Sequence, residues 1–112
     1  MGKRDFKASK SINLNKFNQK LIQELTDLQS RLIIFSIITH AQSIAYISRI
    51  TKIPLSTVYQ KLKNLEEISL VFVEKNVLEE GHKIKYYKSR VKGIEISISK
   101  QEPKIILIKN KI

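Results

Sequence analysis

The chain has 112 residues, a formal net charge of +11 and no cysteine. Its length is typical of one domain and is too short for most doubly wound or barrel enzymes. The lack of cysteine excludes disulfides and thiolate metal sites, and two histidines are too few for a histidine-based zinc site. No apolar run approaches the roughly 20 residues of a membrane span. We therefore expect one cytoplasmic protein without metal, cofactor or membrane contact. The surplus of positive charge predicts a polyanionic partner, of which nucleic acid is the commonest.

The positive charge is unevenly distributed. Residues 1–20 carry six basic side chains and one acidic one, and residues 76–93 also have a positive surplus. Residues 55–75 are neutral. We interpret residues 1–12 as a flexible basic arm and residues 13–112 as a single domain, because no repeat, linker or low-complexity tract divides them.

The first half of the chain has helical periodicity. Apolar residues at helical spacing predict an amphipathic helix over about 14–25. The sequence from Thr26 to Gln29 has the form of a capping box, which predicts a second helix from there to about Ala41. Because the centre of that helix is apolar on nearly all sides, we expect it to be covered on several sides. His40 would then lie at its C-terminal end and interact with the helix dipole.

Two shorter helices are expected next. Ser43 is a suitable N-cap for a helix over about 44–51, and Pro54 ends that helix. A further helix over about 55–67 has an apolar stripe formed by Leu55, Val58, Leu62 and Leu65.

The second half has the period of β-structure. The β-rich residues 71–73 and 84–87 flank a polar segment that contains Gly81, and together they predict a hairpin with a charged tip. Gly93 separates off a third strand over about 94–98, and a last strand follows over about 104–108. The fold class is therefore α+β.

This order of elements resembles the winged helix-turn-helix transcription regulators, in particular the small archaeal and bacterial type related to the arsenical repressors. The resemblance covers just over half of the chain. The stretches that carry it are SRLIIF at residues 30–35, SIAYIS at 43–48, IPLSTVYQKLKNL at 53–65, LEEISLV at 65–71 and YYK at 86–88. It implies a winged helix-turn-helix, here with an extra N-terminal helix and a C-terminal β-hairpin.

Two positions depart from that family. Lys52 and Ser69 stand where many such proteins have glycine, one at the turn and one before the wing. If both positions require a positive φ, each residue costs about 1 kcal/mol. Alternatively, the two turns differ slightly in shape.

The resemblance makes helix 55–67 the recognition helix of a sequence-specific regulator that binds double-stranded DNA. Its outward side chains would lie in the major groove, where bases are read by hydrogen bonds. Gln60 can pair with adenine, whereas Lys63 suits guanine or phosphate. The candidate DNA-binding residues on this helix are Ser56, Thr57, Tyr59, Gln60, Lys61, Lys63 and Asn64. The alternative is an ordinary solvent-exposed helix face.

The hairpin over about 71–88 would act as a basic wing on the flanking DNA through Lys83 and Lys85, with Lys75 and His82 nearby. Alternatively, it is a polar hairpin in a lysine-rich protein, which Glu79 and Glu80 favour. The arm residues Lys3, Arg4, Lys7 and Lys10 either follow DNA phosphates or form an unstructured terminus.

A homodimer is expected, because a second recognition helix would read the second half-site of a pseudopalindrome. The predicted interface consists of the first helix, through Leu14, Phe17, Leu21 and Leu25, together with the isoleucine-rich C-terminal hairpin.

The main rival is a winged helix that contacts protein, within transcription machinery or another assembly, and the neutral charge of residues 55–75 supports it. An enzyme is not expected, because the sequence has no phosphate-binding loop, catalytic triad or metal-ligand spacing.

Overall fold

The computed structural model describes residues 12–98 and 103–112, which form an α+β structure with the helices first and the strands after them. The helices are α1 (Ile12–Leu25), α2 (Leu28–Ser36), α3 (Ile44–Thr51) and α4 (Leu55–Glu67). The strands are β1 (Val71–Glu79), β2 (His82–Ser89), β3 (Val91–Ser97) and β4 (Lys104–Lys109). The predicted α+β class and the predicted order of elements are confirmed. The predicted arm lies outside the described residues, except for Ile12, which begins α1.

The start of α2 differs from the prediction. Asp27, not Thr26, is the N-cap, and its carboxylate accepts hydrogen bonds from the Ser30 amide at 2.9 Å and the Ser30 hydroxyl at 3.0 Å. The Thr26 hydroxyl instead donates to the carbonyl of Gln23 in the last turn of α1. A carboxylate is the stronger acceptor at a helix N-terminus, where it also meets the positive end of the helix dipole.

The end of α2 was also predicted wrongly, because the helix stops at Ser36 and not near Ala41. Beyond it the backbone turns toward β2, where the Ser89 amide donates to the carbonyl of Ile37 at 2.9 Å. Gln42 then exchanges two backbone hydrogen bonds with Tyr87 in an isolated antiparallel bridge. His40 is consequently an exposed residue outside any helix, so the predicted interaction with a helix dipole is wrong.

Only one face of α2 is covered. Ser30, Ile33 and Ile34 are buried, whereas Leu32 and Phe35 are 42 % and 48 % exposed. The prediction of a helix covered on several sides is therefore wrong. The prediction rested on residue type alone. It failed because the apolar side chains on the outer face of α2 are exposed to solvent.

The turn between α3 and α4 consists of three residues. Ser43 caps α3 as predicted, and Lys52 ends it in the left-handed region at φ 65° with its amide bonded to the carbonyl of Ser48. The Ser48 hydroxyl donates to the carbonyl of Ile53, and Pro54 is the N-cap residue of α4. Lys52, which stands where the winged-helix regulators often have glycine, thus does have a positive φ.

The end of α4 has a second residue of this kind. Ser69 has φ 63°, its amide donates to Glu66, and the amide of Leu70 donates to Leu65 at 2.9 Å. These two bonds form a Schellman motif, in which the left-handed residue is usually glycine. Both departures noted in the sequence therefore fall on positive φ, and the alternative of differently shaped turns is wrong.

The core lies where α1 to α4 meet the base of the first hairpin. Leu21, Ile34, Ile47 and Leu62 are among its fully buried residues, and Tyr87 closes it from β2. The predicted stripe of α4 is confirmed at Val58, Leu62 and Leu65 but not at Leu55, which is 56 % exposed at the first position of the helix.

The first hairpin, β1–β2, is antiparallel and closes through Glu80 and Gly81, which have φ 49° and 81°. Positive φ at both central residues is the geometry of a two-residue type I′ turn. A bulge at Glu74 interrupts the register between Val73 and Lys75. The predicted hairpin is confirmed, with strands longer than expected.

The second hairpin, β3–β4, forms a separate two-stranded sheet. Gly93 lies inside β3 and does not precede it. A Cβ atom at this position would lie only 3.0 Å from the Cδ1 atom of Ile108, so a side chain here would crowd β4. Asn110 fixes the hairpin to the rest of the domain. Its buried amide donates to the carbonyls of Ile38 and Ser89, both at 2.9 Å.

Candidate nucleic-acid interface

Helix α4 has one buried face and one solvent face. Val58, Leu62 and Leu65 are at most 1 % exposed, which fixes the rotation of the helix about its axis. At 100° per residue the opposite side then carries Ser56, Gln60 and Lys63. All three are exposed, as the sequence predicts.

This solvent face is polar but nearly free of ion pairs. The Gln60 amide donates to the Asn64 side-chain oxygen at 3.3 Å, one turn further along the helix. Asn64 and Thr57 lie at the edge of the face and are half-buried. Hydroxyl and amide groups displayed in this way can both donate and accept hydrogen bonds, which base edges in a major groove require.

Lys61 does not belong to this face. Its ammonium lies 3.0 Å from the Asp27 carboxylate at the start of α2, and its side chain is only 23 % exposed. Burial raises the pKa of Asp27, but the hydrogen bonds from Lys61 and Ser30 together outweigh it and hold that pKa below its usual value. Lys61 therefore fastens α4 to the α1–α2 junction, and its charge is engaged there and not displayed with Ser56, Gln60 and Lys63.

Tyr59 and Leu55 give the solvent face an apolar edge. They are 54 % and 56 % exposed. The Tyr59 ring is accessible for contact with a sugar or a protein side chain, and its hydroxyl can donate to a phosphate. The predicted exposure of Tyr59 is confirmed, whereas the exposure of Leu55 was not foreseen.

The C-terminal end of α4 is acidic. Glu67 forms an ion pair with Lys20 of α1 at 2.7 Å, and this hydrogen bond lowers the pKa of Glu67. Glu66 lies beside it and is exposed. The two carboxylates make this end of α4 less favourable for an anion than the end near Ser56.

The first hairpin presents Lys83 and Lys85 on one face. They lie opposite Leu78 and Asn76 in the register, on the same side of the ladder as the buried Tyr87. Both lysines are exposed. They lie on the side of the hairpin that faces the core at Tyr87, but nearer the tip, where the helices no longer cover it.

The other side of the hairpin pairs its cations with aromatic rings. The Lys75 ammonium lies 5.2 Å from the centre of the Tyr86 ring, and the Arg90 guanidinium lies 4.5 Å from that of Phe72. At the tip, Glu79 precedes the turn and His82 follows it, both exposed. The lysines nearer the tip are thus on the core-facing side, while Lys75 is engaged on the opposite one.

Sequence reasoning missed some exposed basic residues near α4. Arg49 lies in the last turn of α3, with its guanidinium 5.0 Å from the centre of the Tyr46 ring. Lys52 lies in the turn, three residues before α4 begins. The turn itself was predicted, so the proximity of these charges to its start could have been noticed from the sequence.

The predicted dimer interface is corrected in part. Leu21 and Leu25 are 0 % and 2 % exposed in the single chain, because they pack in its own core. At this exposure neither side chain can supply more than a marginal part of a contact with a partner. The side chains of Leu14 and Phe17 lie outside the described residues.

Within residues 12–98 and 103–112, no group of three or more histidine and acidic side chains is arranged to hold a metal ion. No helix in the same part of the chain has the length and apolar character needed to cross a membrane. Comparison with protein families finds no family model that matches the chain, and no curated protein matches it either.

Proposed function

We propose that this protein is a winged helix-turn-helix regulator of transcription that binds double-stranded DNA in a sequence-specific manner. The observation that carries the proposal is the solvent face of α4. This face displays Ser56, Gln60 and Lys63 on a helix that is anchored by a fully buried apolar stripe and that contacts the first strand of a hairpin with exposed lysines.

The order and connections of the elements support the winged-helix assignment. Two helices, α3 and α4, are joined by a three-residue turn, as in helix-turn-helix motifs. An antiparallel hairpin follows directly, and Gln42 between α2 and α3 pairs with its second strand. In this arrangement α4 is the recognition helix and β1–β2 is the wing.

In the proposed complex α4 enters the major groove with its N-terminal half leading. Gln60 donates to and accepts from one adenine, and Ser56 bonds a neighbouring base edge or phosphate. Lys63 reaches a guanine or the backbone. This orientation keeps the acidic end of α4 away from the phosphates, because Glu66 and Glu67 are at its far end.

The wing supplies affinity and not sequence choice. Lys83 and Lys85 are exposed and, with no described ion-pair partner, are available for phosphate contact. Each neutralised phosphate releases counterions, so binding becomes steeply dependent on salt. Contacts to phosphates fix the position of the protein, whereas α4 selects the sequence.

The direct test is selection of bound duplexes from a random pool, followed by titration of the enriched duplex at several salt concentrations. We expect one enriched motif. Joint replacement of Gln60 and Ser56 by alanine should weaken binding to that motif roughly 10- to 100-fold while leaving non-specific affinity unchanged. No enrichment, together with no binding of any duplex at low salt, would reject the proposal.

Two further variants separate phosphate contact from base contact. Lys83→Ala combined with Lys85→Ala should weaken all duplexes alike and reduce the slope of log affinity against log salt by about 2. The matched control is Lys104→Ala, which removes an exposed charge from the second hairpin. Lys61→Ala should leave the selected motif unchanged, because Lys61 points to Asp27.

The exposed Leu55 and Tyr59 favour a second candidate, a winged helix that binds another protein through α4. Such an interface would be centred on these side chains, and buried aromatic residues often dominate binding energy. In that case Tyr59→Ala would abolish partner binding. Under the DNA proposal the same substitution removes at most one contact to a phosphate or sugar, so the loss of DNA affinity is no larger than that one contact supplies.

A further inference from the structure

The outer face of α2 forms an apolar surface together with β3 of the second hairpin. Leu28, Leu32 and Phe35 recur at helical spacing on this face and are 59 %, 42 % and 48 % exposed. Ile96 of β3 adds a side chain that is 37 % exposed. A shallow groove of about 450 Å³ joins the two elements. It is lined by Leu25, Thr26, Arg31, Phe35, Ile94 and Ile96. We call this combined area the α2 surface.

The α2 surface is large enough for a specific contact between proteins. Its four exposed side chains present roughly 350 Å² of apolar area, which is within the range of functional patches on single domains. Two copies face to face would bury about 700 Å² of apolar area. Since apolar atoms form about 60–65 % of an interface, the total reaches about 1,100 Å², enough for a specific dimer.

The charge of the chain restricts which surface two copies can share. A net charge of +11 makes two copies repel one another wherever basic residues meet. The α2 surface avoids this repulsion, since its one charged residue is Arg31, whose guanidinium is turned back to the carbonyl of Leu25 at 2.7 Å. A twofold contact places each patch against itself, which suits a mainly apolar patch and not a basic one.

The position of the surface is compatible with the candidate DNA interface. Ile33 and Ile34 on the opposite face of α2 are buried in the core that α3 and α4 share. The outer face of α2 therefore points away from α4. A partner bound there leaves Gln60 and Lys63 accessible on both copies.

We propose that the α2 surface binds a second copy of this chain in a symmetric homodimer. The contact keeps the second hairpin of the interface expected from the sequence but replaces the first helix, whose Leu21 and Leu25 are buried in the core. Its link to DNA rests on the proposed function, since two α4 helices would then read two half-sites. The dimer itself requires no DNA.

The test is the mass of the full chain in solution without DNA, measured by sedimentation equilibrium at 10–50 µM. We expect twice the chain mass of 13.0 kDa. Leu32→Glu and Phe35→Glu should each give a single-chain mass with an unchanged circular dichroism spectrum. Leu28→Lys, at the most exposed of the three positions, serves as a second route if either variant fails to fold.

Leu78→Glu is the matched control, because Leu78 is 74 % exposed but lies on the first hairpin. This variant should remain dimeric. A single-chain mass for the unmodified protein overturns the proposal and assigns the surface to a different partner. Persistence of the dimer in folded Leu32→Glu and Phe35→Glu overturns it as well. Because DNA is absent, neither result depends on whether the protein binds DNA.

Discussion

Replacing Ser69 by glycine should stabilise the protein. Ser69 occupies the left-handed position of the Schellman motif at the end of α4, with φ 63°. A residue with a side chain pays about 1–2 kcal/mol for this conformation, whereas glycine adopts it freely. Glycine also has more conformational freedom in the unfolded chain, which favours unfolding and cancels about 0.4–1 kcal/mol of this stabilisation. The net expected gain is about 0.5–1 kcal/mol in the free energy of unfolding.

The gain can be measured by urea denaturation and by thermal melting. A domain of this length unfolds with an entropy of about 0.24 kcal/mol/K, so the melting temperature should rise by roughly 2–4 °C. The slope of the free energy of unfolding against urea concentration should not change, because the surface exposed on unfolding is the same.

Two control variants isolate the effect of φ. Ser69→Ala keeps the Cβ atom and should not stabilise the protein. Ser97→Gly makes the same chemical change at an exposed strand residue and should be neutral or destabilising. If Ser69→Gly lowers the melting temperature, or if Ser69→Ala raises it equally, the attribution to left-handed strain is refuted.

Three further substitutions have defined outcomes. Lys61→Met should lower stability by about 0.5–1 kcal/mol at pH 7, since the pair with Asp27 is partly exposed. Because the folded-state pKa of Asp27 is lowered, this loss should shrink as pH falls below about 4 and through that lowered pKa, as urea denaturation at each pH would show. Glu80→Asn should raise the melting temperature, because asparagine suits the first central position of a type I′ turn. It should also raise DNA affinity in a titration by removing a negative charge from the hairpin tip. Asn110→Ala should cost about 2 kcal/mol in chemical denaturation, since two carbonyls lose a buried donor.

Local patterns predicted α3, α4 and the first hairpin well. The Ser43 cap and the spacing of Val58, Leu62 and Leu65 are properties of short segments, and burial in the structure agrees with them. The exposed positions of Gln60 and Lys63 follow from the same periodicity, because the buried stripe determines the opposite face.

The errors share a dependence on long-range contacts. The early end of α2 comes with backbone bonds from residues near it to β2, about 50 positions away in the chain. The ion pair of Lys61 was likewise missed, because nothing in its sequence neighbourhood shows that Asp27, 34 positions earlier, lies 3.0 Å from its ammonium. Leu21 and Leu25 form an apolar stripe that suits a core or a partner equally, and only the packing decides.

On α4 the residues that hold the helix in the core differ from those exposed to a binding partner, and this affects how the protein can diversify. Ser56, Gln60 and Lys63 are exposed, so substitutions there should change the free energy of unfolding by no more than about 0.5 kcal/mol. Descendant sequences can therefore vary these three positions without first acquiring compensating mutations in Val58 or Leu62. A library randomised at the three exposed positions would accordingly consist mostly of folded proteins. Selection could then act on what the helix binds and not on whether the protein folds.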